Sequence, residues 1–139
     1  MKKSSFILMM MLIPLLSCEK ESINPLIGWW RLQSYETTYF KDLPKTTENI
    51  DSVEFIDCME DFIHFSFSEN GTGTMYLKGA LEYSFTWNTA ENNLSIIKDN
   101  ETDILEYDFQ IIEDLFLYTN EGVYFSGYWT CLNTAIRGK

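Results

Sequence analysis

The 139-residue sequence is poor in several residue types on which common functions depend. With one histidine and three cysteines, it has too few ligands at useful spacings for a zinc site, and most histidine-based catalytic sites are excluded. Lys and Arg number 10 against 21 Asp and Glu, and a chain of formal charge −11 repels the phosphates of nucleic acid. The longest apolar run, residues 6–16, has 11 residues and is shorter than the roughly 20 that span a bilayer as a helix.

Aromatic residues, by contrast, are abundant. They make up 16% of the chain, and glycine and proline number only 7 and 3. A chain with this many aromatic and branched residues can bury enough apolar surface to offset the entropy lost on folding. The composition and length therefore predict one folded domain.

The first 18 residues have the features of an export signal. Lys2 and Lys3 precede the apolar run, which is typical of a signal-peptide core. The run ends in Leu15-Leu16-Ser17-Cys18, which resembles the lipobox of bacterial lipoproteins. The resemblance implies that residues 1–17 are removed and that Cys18 carries acyl chains. An ordinary secretory signal that is cut beside a cysteine by chance is the alternative.

A lipid anchor on Cys18 predicts a membrane-attached protein at the outer membrane. Removal of residues 1–17 takes away two lysines and no acid, so the charge moves from −11 to −13. Such an acidic body is expected to stand away from anionic lipid, with the acyl chains as its only membrane contact. Residues 19–22 loosely resemble the charged tract of surface-displayed Bacteroidetes lipoproteins, so display at the surface or on the periplasmic side both remain open. Residues 18–26 are assigned to a tether.

Two cysteines remain if Cys18 is acylated. Cys58 and Cys131 are an even pair in an oxidising compartment, which predicts a disulfide between them. Two buried free thiols are the alternative, because free cysteine is a common core residue.

Alternation of apolar and polar residues is the main signal after residue 26. In residues 81–87 every second residue is large and apolar, and similar patterns recur over 63–67, 105–111 and 123–129. This period of two is typical of β-strands. The pattern predicts strands near 27–36, 61–67, 73–78, 80–87, 93–98, 102–109, 113–118 and 122–131, while the part of 41–57 around residues 53–56 is compatible with a short helix or strand.

Turn signals separate these strands at short intervals. Asn70-Gly71 is a strong hairpin signal, and residues 88–93, 99–101 and 119–122 mark further turns. Short strands at this spacing predict an all-β barrel or sandwich. Successive hairpins favour the antiparallel up-and-down β-barrel, of about eight strands over residues 27–139, because a closed meander buries its edges.

Several short motifs resemble those of lipocalin-like lipoproteins of Bacteroidetes. The residues that carry the resemblance are Gly28-Trp29-Trp30, Cys58 to Phe65, Asn70 to Gly73, Phe85-Thr86-Trp87 and Asn93 to Ile96. The resemblance implies a lipocalin-like barrel with room for a small hydrophobic ligand. It also implies that Gly28 and Trp30 lie at a closed end, where Arg137 packs on the indole ring of Trp30.

The inward faces of the predicted strands form the candidate ligand site. These faces comprise Tyr83, Phe85, Trp87, Tyr107, Phe109, Phe125 and Trp129. Such residues either line a pocket, with tyrosine hydroxyls that orient a ligand, or simply fill the barrel.

The sequence predicts a non-catalytic protein that requires no cofactor or metal. His64 lies on the face opposite the apolar residues of its strand and lacks an identifiable catalytic partner. The first functional hypothesis is a binding protein for a small hydrophobic ligand. The alternative is an interaction or structural protein with a filled barrel, in which Trp29, Tyr124 and Tyr128 face outward to meet a protein or glycan.

Overall fold

The structure is a computed structural model, and it describes residues 24–138. Nine β-strands account for most of this part of the chain. They are β1 (Gly28–Phe40), β2 (Ile50–Asp57), β3 (Ile63–Phe67), β4 (Thr72–Leu77), β5 (Ala80–Ala90), β6 (Asn93–Lys98), β7 (Leu105–Ile112), β8 (Leu115–Tyr124) and β9 (Gly127–Arg137).

Eight of these strands form a closed antiparallel barrel. From β3 to β9 each strand pairs with the next along the chain, and β1 closes the ring by pairing with both β3 and β9. Closure pairs the edges that an open sheet would leave to solvent. The prediction of an all-β, up-and-down barrel of about eight strands is confirmed.

The sequence pattern did not distinguish helix from strand around residues 53–56. In the structure this part of the segment 41–57 belongs to strand β2. β2 pairs only with the second half of β1, in register from Ser34 opposite Asp57 to Phe40 opposite Ile50. Most of its side chains are exposed, including those of Val53 and Phe55. β2 is thus a strand added to the rim of the barrel, outside the closed ring of eight.

The last hairpin differs from the prediction. The turn expected over residues 119–122 is absent, and β8 continues to Tyr124 before β9 begins at Gly127. Gly122 lies opposite Trp129, and a Cβ atom at Gly122 would come 2.6 Å from the indole ring. This glycine therefore makes room for a large ring within a strand, and the sequence signal of a turn was wrong here.

One end of the barrel is closed by packed side chains. The buried cluster consists of Leu26, Trp30, Phe67, Phe85, Leu94, Phe116 and Ala135. Leu26, which the sequence assigned to the tether, is fully buried, and its carbonyl accepts a hydrogen bond of 2.8 Å from Trp30 Nε1. The folded barrel therefore begins before residue 27.

Arg137 covers Trp30 at this closed end. Its guanidinium carbon lies 4.2 Å from the centre of the indole ring. The same side chain donates hydrogen bonds to the carbonyl oxygens of Pro25 (2.9 Å) and Ile27 (3.3 Å). The contact expected from the resemblance is present, and it also attaches the entering chain to the barrel.

The predicted leader, Cys18 and most of the tether lie outside the described residues. Over residues 24–138, no helix is both long and apolar enough to cross a membrane.

Candidate ligand cavity in the open half of the barrel

The half of the barrel opposite Trp30 contains a cavity of about 480 Å³. It is lined by Tyr35, Thr37, Tyr39, Tyr107, Tyr118, Asn120, Tyr124, Trp129, Cys131 and Asn133. These side chains come from β1, β7, β8 and β9. The volume lies within the range of small-molecule sites in proteins.

A β-bulge in β1 determines which residues face this cavity. The register between β1 and β9 shifts between Leu32 and Ser34, so that one residue of β1 is unpaired. Before the shift Trp30 and Leu32 point into the barrel, whereas after it Tyr35 and the other odd-numbered residues do so. A bulge changes the parity of the inward face in this way. The inward position of the β1 tyrosines was not predicted, because simple alternation does not reveal a bulge.

Burial affects the titration of two tyrosines that line the cavity. Burial raises the pKa of Tyr107 and raises that of Tyr118 well above its usual value. Burial also raises the pKa of Tyr83, which packs deeper in the barrel, to about 12. The hydroxyls of Tyr107 and Tyr118 therefore keep their protons at neutral pH and can both donate and accept hydrogen bonds.

The cavity wall is held by polar contacts that involve only neutral groups. Thr37 Oγ1 donates to Cys131 Sγ at 3.5 Å, and Asn133 Nδ2 donates to the Tyr118 carbonyl oxygen at 3.2 Å. All ten lining side chains are of neutral residue types. A cavity of this kind suits an uncharged molecule with an apolar body and a few polar groups.

The structure divides the seven predicted site residues among four environments. Tyr107 and Trp129 line the cavity, and Phe85 is fully packed in the core. Tyr83, Trp87 and Phe109 pack against that core from its edge. The inward placement of Phe125 is wrong, because the residue lies in the β8–β9 turn with a fully exposed side chain.

The predicted disulfide is also wrong, since Cys58 and Cys131 are free in the structure. The backbone N–H of Cys58 binds Gln33 on one side of β1, and Cys131 pairs with Thr37 on the other side. Two inter-strand spacings alone amount to about 9–10 Å, and the β1 partners Gln33 and Thr37 also lie four residues apart, so the Cα atoms are beyond the roughly 7 Å that a disulfide can bridge.

His64 lies on the outer face of the β3 wall, as its alternation predicted. In the part of the chain that the structure describes, no three His, Cys, Asp or Glu side chains come together as metal ligands.

No protein-family model, no curated protein and no solved structure matches this chain. The function is therefore inferred from the geometry of the barrel.

Proposed function

We propose that this protein is a non-catalytic binding protein, anchored at the outer membrane by lipid on Cys18. Its ligand is a small, largely apolar molecule with one or two polar groups. The observation that carries the proposal is the unequal filling of the barrel. Side chains pack one half around Trp30 and Phe116, whereas the other half contains the tyrosine-lined cavity, which is open to solvent.

The lining suits recognition better than simple filling. Tyrosine and tryptophan present large apolar rings and have few rotatable bonds, so they lose little entropy when a ligand contacts them. The cavity contains five tyrosines, together with the indole of Trp129 and the amides of Asn120 and Asn133. The rings would contact the body of the ligand, and the hydroxyl and amide groups would orient it.

The environment of Cys131 supports a non-catalytic role. It is the one thiol in the cavity lining, and its side-chain partners Thr37 and Asn133 are both neutral. A reactive cysteine usually has a nearby cation or base that favours the thiolate. The residues around Cys131 therefore give no evidence for covalent catalysis by its sulfur.

The anchor and the location rest on the sequence alone. The lipobox-like residues 15–18 support lipidation, and the resemblance to lipocalin-like lipoproteins of Bacteroidetes supports an outer-membrane location. Radiolabelled palmitate incorporated into the wild-type protein and absent from a Cys18→Ala variant would support the anchor. An unlabelled wild-type protein would contradict it.

Native mass spectrometry of the full-length protein, as its host processes it, tests the ligand proposal. We expect an additional discrete mass that is lost when the protein is denatured. A wild-type protein that has only the mass of its chain and anchor would contradict the proposal. That result would favour the alternative, in which the barrel is a scaffold and its outer surface meets a protein or glycan.

Two neighbouring threonines provide a matched pair of variants for the same measurement. Thr37 lines the cavity, and Thr38 is the next residue of β1 and points to the opposite face. Thr37→Trp should fill the cavity and remove the additional mass, whereas Thr38→Trp should retain it. Equal retention by both variants would place the ligand outside the cavity.

A further inference from the structure

A second concave site lies on the outer surface of the barrel, where β1, β3 and β4 form the wall. Its cavity of about 680 Å³ is lined by Trp29, Glu60, Phe62, His64, Tyr76, Lys78 and Gly79. We call this site the outer groove. It shares no lining residue with the tyrosine-lined cavity, so its function is independent of the proposed barrel ligand.

Three aromatic rings form the apolar part of the outer groove. The rings of Trp29 and Tyr76 lie 5.7 Å apart and are tilted by 43°. The third ring is that of Phe62, whose side chain is 47% exposed. The guanidinium carbon of Arg31 lies over one face of this ring, 4.8 Å from its centre. These three large rings therefore lie together on one concave part of the outer wall, which is typical of a binding surface.

The backbone holds Phe62 in a conformation that is costly for its residue type. Its φ angle is +49°, in the left-handed region that bulky residues seldom adopt. The Phe62 carbonyl accepts a hydrogen bond of 3.2 Å from Lys78 N, and Arg31 Nη2 donates one of 2.7 Å to the Met59 carbonyl. The loop that presents the ring is therefore fixed to β1 and to the β4–β5 turn.

The polar groups of the outer groove are balanced in charge. Glu60 and Lys78 are both exposed, and no ion pair joins them within residues 24–138. The imidazole Nε2 of the lining residue His64 and the guanidinium Nε of the neighbouring Arg31 have no hydrogen-bond partner among the described residues, but both atoms are enclosed. The exposed side chains of Glu60 and Lys78 are therefore the polar groups that a ligand can reach.

We infer that the outer groove binds a neutral carbohydrate. The C–H faces of a sugar ring stack on aromatic side chains, and its hydroxyls can accept from an ammonium and donate to a carboxylate. Among the lining residues, the carboxylate of Glu60 and the ammonium of Lys78 balance each other. The guanidinium of Arg31, which is not a lining residue, is already engaged by the Phe62 ring and the Met59 carbonyl. This balance at the groove contrasts with the charge of −11 on the whole chain and favours a neutral polyol.

Isothermal titration of the full-length protein with maltotriose, cellotriose and chitotriose tests this inference. We expect saturable binding of at least one of these trisaccharides, and the Thr37→Trp variant should bind it equally well. The highest concentration of each sugar should be about 10 mM, which exceeds the dissociation constants of weak specific complexes, on the order of 1 mM. Absence of binding by all three sugars at this concentration would overturn the inference. Binding of the zwitterion alanyl-alanine in place of the sugars would also overturn it.

The Phe62→Gly variant separates binding from folding. Glycine adopts the left-handed conformation without strain, and this offsets part of the loss of the half-exposed ring and its contact with Arg31, so the variant should still fold and unfold at a urea concentration close to that of the wild type. Loss of one stacking ring should weaken trisaccharide binding roughly two- to tenfold. Phe125→Gly, at the fully exposed turn residue, is the matched control and should leave binding unchanged.

A second variant tests the polar part of the outer groove. Glu60→Gln keeps the shape of the side chain and removes its charge, so it should weaken trisaccharide binding at least about twofold. Unchanged binding in both Phe62→Gly and Glu60→Gln would show that the sugar binds elsewhere, which overturns the assignment.

Discussion

Arg137 makes several interactions at the closed end of the barrel. It lies over the indole ring of Trp30, donates to two carbonyl oxygens of the entering chain and forms an ion pair of 3.4 Å with Asp114. The ion pair is the most exposed of these interactions, since the Asp114 side chain is 83% accessible. The contacts with Trp30 and the backbone should therefore contribute most to stability.

We predict that Arg137→Ala lowers the free energy of unfolding by about 2 kcal/mol, because the cation–π contact and the hydrogen bonds to Pro25 and Ile27 are lost together. Asp114→Asn removes only the exposed ion pair and should cost about 0.5 kcal/mol or less. Urea unfolding followed by circular dichroism measures both variants. Equal losses would mean that the ion pair, rather than the cation–π contact, is the important interaction.

Two irregularities of individual strands build the ligand cavity. The bulge in β1 turns Tyr35, Thr37 and Tyr39 inward, and Gly122 in β8 leaves room for the ring of Trp129. Neither feature follows from regular alternation, because both depend on the pairing partner of the strand. The shape of the cavity therefore depends on how β1, β8 and β9 pair.

We predict that Gly122→Ala destabilises the protein by between about 1 and 3 kcal/mol, because the new methyl group would overlap the Trp129 ring. The same displacement should change the near-ultraviolet circular dichroism of the tryptophans. Val123→Ala, at an outward position that is 76% exposed, is the control and should cost about 0.5 kcal/mol or less. A Gly122→Ala protein as stable as the control would show that Trp129 does not need this space.

At the scale of the whole molecule, the arrangement of strands in the barrel keeps Cys58 and Cys131 from forming a disulfide. The single strand β1 lies between Cys58 and Cys131, so the two thiols do not meet. Cys58 is almost completely buried, and burial also raises the pKa of its thiol. A low thiolate fraction and poor access both slow its reaction with alkylating reagents.

We predict that iodoacetamide, added after unfolding and without a reducing agent, labels Cys58 and Cys131 completely. In the native protein Cys58 should react at least about tenfold more slowly than after unfolding, because its thiol is buried. Peptide mass spectrometry measures both rates. A peptide pair that contains both residues and separates only on reduction would contradict the free thiols.

Much of the architecture was predictable from residue order. Alternation identified most of the strands, and Asn70-Gly71 correctly placed the β3–β4 turn. The Trp30–Arg137 contact was expected from a resemblance rather than from the pattern. The candidate site was predictable only in part, since Tyr107 and Trp129 were named and the tyrosines of β1 were not.

The sequence by itself determined the antiparallel strands and their hairpins, because alternation and turn residues act between near neighbours along the chain. Closure of these hairpins into a barrel depends on the pairing of β1 with β3 and β9. Tertiary structure alone decided the added strand β2, the free cysteines, the tyrosine-lined cavity and the outer groove. These features depend on register and on distances between strands that are remote in sequence. A shift of one residue reverses the face of every side chain that follows, so local patterns cannot fix which residues meet inside the barrel.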